Sequence, residues 1–298
     1  MTTLAIGVNL PDTLGIGPAA RHAEALGLES VWAADLIIGD GTPALDSTVA
    51  LATAAAVTER LRVGFGVLIL PIHPVTRVAA QIAALQQVSG NRVILGIGAG
   101  GFPGTPFWRA VGGPTRARGS RTDAALAALP HLIAGEPTRL ALAPDQPVVT
   151  LAPPAPVPPI LIGGNSDAAI RRAATYGDGW FPSLLTPDTL VVGAARLREH
   201  ATERGRATPS ITVGGHAMPG DTAAARTARE AFVRSLITRH GMTPDEAALI
   251  PIVGSPTDIA ERFAAYAAVG VERLVLSLDG GEWPQQCALI AEAYALLG

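Results

Sequence analysis

The sequence predicts an α/β fold: a (β/α)8 TIM barrel with an insertion after the fourth strand. Three observations carry that expectation. First, eight short apolar runs occur along the 298 residues, each followed by helical or insert material. Second, the stretch Arg62–Gly101 shows the repeating unit complete. Val63–Leu70 is continuously apolar, as suits a strand buried on both faces. Val75, Val78, Ile82 and Leu85 then recur at helical spacing. Ser89-Gly90-Asn91 supplies turn chemistry before a second buried strand over Val93–Ile97. Third, hydrophobic residues make up 48% of the chain and aromatics only 4%, so the core rests on Ala, Val, Leu and Ile, as in helix-covered parallel sheets. Such crossovers are right-handed, and a barrel of this kind occupies about 250 residues before insertions. The rival, a doubly wound open sheet, usually has fewer strands. One domain over residues 1–298 is expected, with an irregular, lid-like insertion at about 101–158.

The elements follow in order. Leu4–Leu10 is the first strand, ending in Asn9-Leu10-Pro11-Asp12. Pro18 suits a first helical turn, Ala19, Ala20, Ala23 and Leu26 form its buried stripe, and Gly27 closes it. Ser30–Ala34 is a short strand ending on Asp35, and a helix over about Leu45–Val57 leads into the Arg62–Gly101 unit. Phe102–Ser120 holds three prolines and four glycines, too many for a helix or a central strand. Thr122–Ile133 is helical, with Pro130 marking a kink or late break, and Glu136–Pro159 is irregular with short edge strands. Pro159–Ile162 is the fifth strand, and Ser166 caps the helix after it. Gly179–Pro182 is the sixth, before a helix starting at Thr186-Pro187-Asp188. Ser210–His216 is the seventh, with helices after Thr222 and Thr243. Ser255 and Asp258 form a capping box, Arg273–Leu278 is the last strand, and Trp283–Leu297 the closing helix.

Charge and cysteine usage narrow the function classes. Twenty-two basic against 25 acidic residues give a net charge of −3 with no basic block, so neither nucleic acid nor an anionic membrane is an expected partner. No apolar run approaches the roughly 20 residues of a membrane span, and the N-terminus carries no basic leader. Cys287 stands alone, which excludes an intrachain disulfide or a cysteine metal cluster and fits a cytoplasmic protein. Six histidines without HxH or HExxH spacing make a metal site improbable.

Several residues could carry chemistry. Gly96, Gly98 and Gly101 match a GxGxxG fingerprint, but Phe102-Pro103-Gly104 follows where a helix should open, so these glycines read instead as a strand end that lets backbone approach a ligand. Asp123, at about the spacing of a ribose contact, therefore loses that role. Gly163-Gly164-Asn165-Ser166 places two glycines and a cap at a helix N-terminus, where a phosphate would meet backbone N–H groups and the Ser166 hydroxyl; from the residues alone an ordinary strand-to-helix turn with a Ser cap is the favoured reading. His73 and His216 both sit at strand C-terminal ends, as substrate or cofactor contacts or as satisfied loop histidines. Asp35 is a candidate base, or a cap for the Gly39–Gly41 loop.

Five blocks in order resemble the bacterial luciferase-like monooxygenase superfamily, particularly its coenzyme F420-dependent oxidoreductases. They are AEALGLESVWAAD at 23–35, TERLRVGFGVLILPIHP at 58–74, VSGNRVILGIGAGG at 88–101, PPILIGGNSDAAIRRAATYGDGWF at 158–181 and GSPTDIAERFAAYAAVGVERLVL at 254–276. The resemblance implies a barrel holding F420, or alternatively FMN, at its C-terminal face. It implies a cis peptide at Gly66–Val67 behind the cofactor ring, a border of Gly98, Ala99 and Gly100 beside it, and a phosphate at Gly163, Gly164, Asn165 and Ser166. Two departures stand out: Asp35-Leu36 replaces the Asp-His of related dehydrogenases, and Gly101 stands where they carry a carboxylate. The sugar-phosphate branch's reaction is therefore not carried over.

The resulting expectation is hydride transfer to or from a small organic substrate, with Asp35 and His73 as catalytic candidates and Asp35 also near the cofactor. Asn9, Phe102, Trp108 and His216 would line the substrate pocket. The alternatives are a reduced-FMN-dependent monooxygenase, in which O2 reacts at the flavin, and a non-catalytic flavin-binding protein. The Ala-rich style of the chain leans toward the deazaflavin. Members of the superfamily are commonly dimers, so a homodimer is expected.

Overall fold

Eight parallel strands close on one another: β1 (Ala5–Asn9), β2 (Ser30–Ala33), β3 (Arg62–Ile69), β4 (Val93–Gly98), β5 (Ile160–Gly163), β6 (Gly179–Phe181), β7 (Ser210–Pro219) and β8 (Arg273–Leu278). The computed structural model describes residues 4–11 and 15–297; Asp12, expected in the first loop, lies outside the described residues. Each strand pairs with the next, and Arg273↔Ala5 joins β8 to β1, so the eight strands close into a barrel. All eight runs read from the sequence form barrel strands; Arg273–Leu278 agrees at both ends and no end shifts by more than three residues.

Two apolar compartments hold the barrel. A small cluster of Trp32, Ile94, Leu161, Phe181 and Val275 comes from alternating positions on five strands and packs together within the sheet, with Trp32 edge-on to Phe181 at 5.3 Å. A much larger cluster lies between the strands and their helices and is built mainly from Ala, Val, Leu and Ile, as composition requires. The helix Val75–Ser89 buries Val78, Ile82 and Leu85 there, while Val75 is only partly covered.

The segment after β4 contains more regular structure than its glycines and prolines indicate. A short helix, Pro106–Ala110, forms within the stretch read as non-helical. Thr105 accepts from the Trp108 N–H at 3.2 Å, and Pro106 takes the first helical position, where its missing N–H costs nothing. The next helix starts at Arg118, a turn earlier than expected, and runs through Pro130 to Ile133. It buries Leu126, Leu129, Leu132 and Ile133 and packs on Val75–Ser89, so it belongs to the barrel's helical layer. Thr138–Arg139 and Val148–Val149 form a two-stranded antiparallel ribbon, the short strands anticipated there. An unanticipated three-residue strand, Ile252–Gly254, pairs parallel with the far end of β7; it is too short to show periodicity.

The N-terminal ends of the strands are tied by charge. Arg273 on β8 donates to Glu29 at 2.8 and 3.0 Å, and Arg62 on β3 lies 3.7 Å from the same carboxylate. Burial works to raise the Glu29 carboxyl, but the Arg273 hydrogen bonds and charge outweigh it and hold the group below its ordinary range. This end carries the pins, and the opposite end carries the site.

Candidate active site at the barrel mouth

The C-terminal ends of β1, β2, β7 and β8 open into a cleft of about 880 Å³, flanked by the helices Ile16–Ala25 and Trp283–Ala295. Asn9 and His216, both expected in a substrate pocket, meet in its lining. The Asn9 side chain donates from Nδ2 to Ser277 Oγ at 2.6 Å, and its backbone oxygen accepts from Trp283 Nε1 at 2.9 Å. Asn9 Oδ1 is buried and has no hydrogen-bond partner among the described residues. His216 Nδ1 donates to Asp279 Oδ2 at 2.7 Å, and the imidazole stacks on Phe232 with ring centroids 4.2 Å apart. Both contacts fix the ring, and Nε2 is left as its second polar atom.

Asp35 and His73 come together at a different point of the mouth. Asp35 follows β2 and is 8% exposed; its Oδ2 accepts from His73 Nε2 at 2.7 Å and from the Ile69 N–H at 3.0 Å. It does not cap the Gly39–Gly41 loop, where Asp40 instead accepts from the Thr42 N–H. Asp35 lines a recess of only about 10 Å³ with Ile69, Phe102, Phe107 and Trp108. Phe102 is half exposed, whereas Trp108 is buried against Gly100, where an added Cβ would lie 2.5 Å from the indole. The Arg118 guanidinium donates to the Gly100 oxygen and sits 6.0 Å from the Trp108 ring. The structure thus places Phe102 and Trp108 with Asp35, not with Asn9 and His216.

On β3, beside Asp35, the Gly66–Val67 peptide is cis, as the resemblance implies. The Val67 side chain lies across β4 and β5. A Cβ on Gly98 would come within 2.6 Å of it, and one on Gly163 within 2.9 Å. On the side where a Cβ would stand, Gly96 faces the Phe65 backbone oxygen, Gly98 faces Val67, and Gly101 is open. Ala99 and Gly100, next in the chain, are half-buried.

The turn after β5 keeps an anion-compatible form. Gly164 adopts φ +117°, open to glycine, and both its N–H and its oxygen are engaged, with Phe181 and Trp180. The Asn165 side chain exchanges two hydrogen bonds with the Ser183 backbone, at 2.7 and 3.0 Å, so it is committed to the fold. Ser166 Oγ accepts from the Ala169 N–H at 3.2 Å and caps the ten-residue helix Asp167–Tyr176. Its hydroxyl hydrogen and the N–H groups of Asp167 and Ala168 are the donors this helix terminus could offer an anion. Asp167 adds a carboxylate beside them, but Arg171 and Arg196 pair with it and offset its charge.

Sequence reasoning missed Ser277, Asp279 and Trp283. The run Asp279-Gly280-Gly281, directly after the last strand, carries the same signal that singled out Asp35: an acid at a strand's C-terminal end. Asp123 is an ion-pair partner of Arg172 at 2.5 Å, linking two helices. Among the described residues no group of three or more His, Cys, Asp and Glu could hold a metal ion, and no helix is long and apolar enough to cross a membrane.

Fold and site together define a closed (β/α)8 barrel with its polar machinery at the C-terminal mouth. The chain belongs to the luciferase-like monooxygenase family, whose match spans residues 16–273. An uncharacterised protein of Mycobacterium tuberculosis is 34% identical over 223 residues, covering 64% of this chain and 73% of that one. The 5,10-methylenetetrahydromethanopterin reductase of Methanolobus tindarius is 26% identical over 251 residues, 78% of this chain and 72% of its own. Among solved structures, an F420-dependent secondary alcohol dehydrogenase in complex with an F420-acetone adduct superposes with a TM-score of 0.83 over 100% of both chains at 18% identity, a likeness of fold.

Proposed function

We propose that this protein is an oxidoreductase using coenzyme F420 for hydride transfer to or from a small organic substrate. The observation that carries the reading is the joint placement of an anion-compatible turn at Gly163–Ser166 and hydrogen-bonded Asp–His pairs at one barrel mouth. Support also comes from the F420 dependence of the alcohol dehydrogenase that shares the fold over its whole length.

In this reading Ser166 and the N–H groups of the helix Asp167–Tyr176 hold the cofactor phosphate. Gly66, Val67, Gly98, Ala99 and Gly100 border the ring. When bound, the deazaflavin supplies hydride exchange at its ring. Asp35 Oδ2 keeps His73 Nε2 oriented, so Nδ1 of that ring is the atom available to give or take a proton. The Asp-His sequence is lacking after β2, and Asp35 is instead hydrogen-bonded to His73 from the loop after β3. Asn9 and His216 face the substrate from the cleft, and Phe102 and Trp108 close the Asp35 side.

A second reading, a reduced-FMN-dependent monooxygenase, is favoured by the description of the family itself. Titrating the purified protein separately with F420 and FMN, following cofactor fluorescence, decides between them. F420 binding is the expected result. Tight FMN binding with no F420 response would replace the first reading with the second.

A further inference from the structure

The large cleft presents acceptors. Asn9 gives one Nδ2 hydrogen to Ser277, and its buried Oδ1 is without a partner among the described residues. Asp279 and Glu282 add carboxylates to the lining. Among the described residues, His22 and His216 are the other ionisable groups in the lining, and no arginine is present there. The chain contains no lysine at all. With both carboxylates ionised, the two imidazoles can at most balance them, so near neutral pH the described lining is not net positive. Leu10, Ile16, Trp32, Leu45 and Trp283 supply the apolar walls.

We infer that this cleft takes a small molecule with an apolar body and a hydrogen-bond-donating head, an alcohol or an ammonium group, and disfavours carboxylates and phosphates. Asn9 Oδ1 and Asp279 are the acceptors for that head, and Phe232 and Asp279 hold His216 beside it. An anion entering would find no fixed cation to offset its desolvation and would meet two carboxylates. The inference rests on the proposed function only in taking this ligand as the substrate; binding itself needs no cofactor.

The test is therefore done without cofactor. Trp32 and Trp283 line the cleft, so intrinsic tryptophan fluorescence reports its occupancy. Cyclohexanol, cyclohexylamine and cyclohexanecarboxylate are three probes of one shape that differ in head group. Near neutral pH the alcohol and the ammonium should each bind at least about tenfold more tightly than the carboxylate. Asp279→Asn should reduce the preference for ammonium over carboxylate, and Asn9→Leu should weaken the alcohol. Equal or tighter binding of the carboxylate overturns the inference, as does failure of all three probes to bind, or alcohol binding unchanged in Asn9→Leu. Failure of the F420 titration alone would overturn the cofactor assignment and leave this result standing.

Discussion

Asp35 and His73 stand 38 positions apart in the chain, yet share a 2.7 Å hydrogen bond at the barrel mouth. The same carboxylate oxygen accepts the buried Ile69 N–H. Asp35→Ala should leave both donors without a partner and cost about 1–3 kcal/mol in urea unfolding. Asp35→Asn keeps a carbonyl acceptor and should cost less. Equal losses in the two variants would show that the acceptor is not what matters.

Val67 fills the space that Gly98 and Gly163 leave without a Cβ. Gly98→Val would press a branched side chain against it in a packed interior. The expected loss is about 1–3 kcal/mol of unfolding free energy, with weakened cofactor binding alongside. Gly101→Ala, where an added Cβ meets nothing within 4 Å, is the control and should behave as wild type.

Ser166 combines a structural and a proposed binding role, and one substitution separates them. Aspartate is as good an N-cap as serine, so Ser166→Asp should retain the melting temperature. Its charge would repel a phosphate at the same helix terminus, and cofactor affinity should fall at least about tenfold, roughly 1.4 kcal/mol. Unchanged affinity would place the phosphate elsewhere.

Glu29 links stability to pH. Its carboxyl is held below its ordinary 4.5 by the Arg273 hydrogen bonds and charge, against the opposing effect of burial. The unfolded chain therefore takes up this proton at a higher pH than the folded one. The stabilisation is complete above about pH 4.5 and is lost as pH falls through the depressed value. Urea midpoints measured between about pH 3 and 6 should drop more steeply for wild type than for Glu29→Gln. Parallel curves would remove Glu29 from the acid response.

Much of the architecture is legible in short windows of sequence. Buried runs such as Val63–Leu70 and the helical spacing of Val78, Ile82 and Leu85 are local properties, and they place all eight strands. The caps are equally local: Ser255 and Asp258 exchange their hydrogen bonds within three residues of each other, as the capping box requires. The helix Pro106–Ala110 escaped because glycine and proline counts ignore that Thr105-Pro106 is itself a helix start.

What no window contains is which strand ends face each other once the sheet closes. Asn9 belongs to the first strand and Ser277 to the last, and they touch only because β8 pairs with β1. His216 meets Asp279 across 63 residues because β7 and β8 are neighbours in register. Periodicity comes from the geometry of a few consecutive residues, so sequence alone suffices for strands, helices and caps. The Asp–His pairs, the valine seated on bare glycines and the acceptor-lined cleft depend on the curvature of a closed barrel, and so appear only in the tertiary structure.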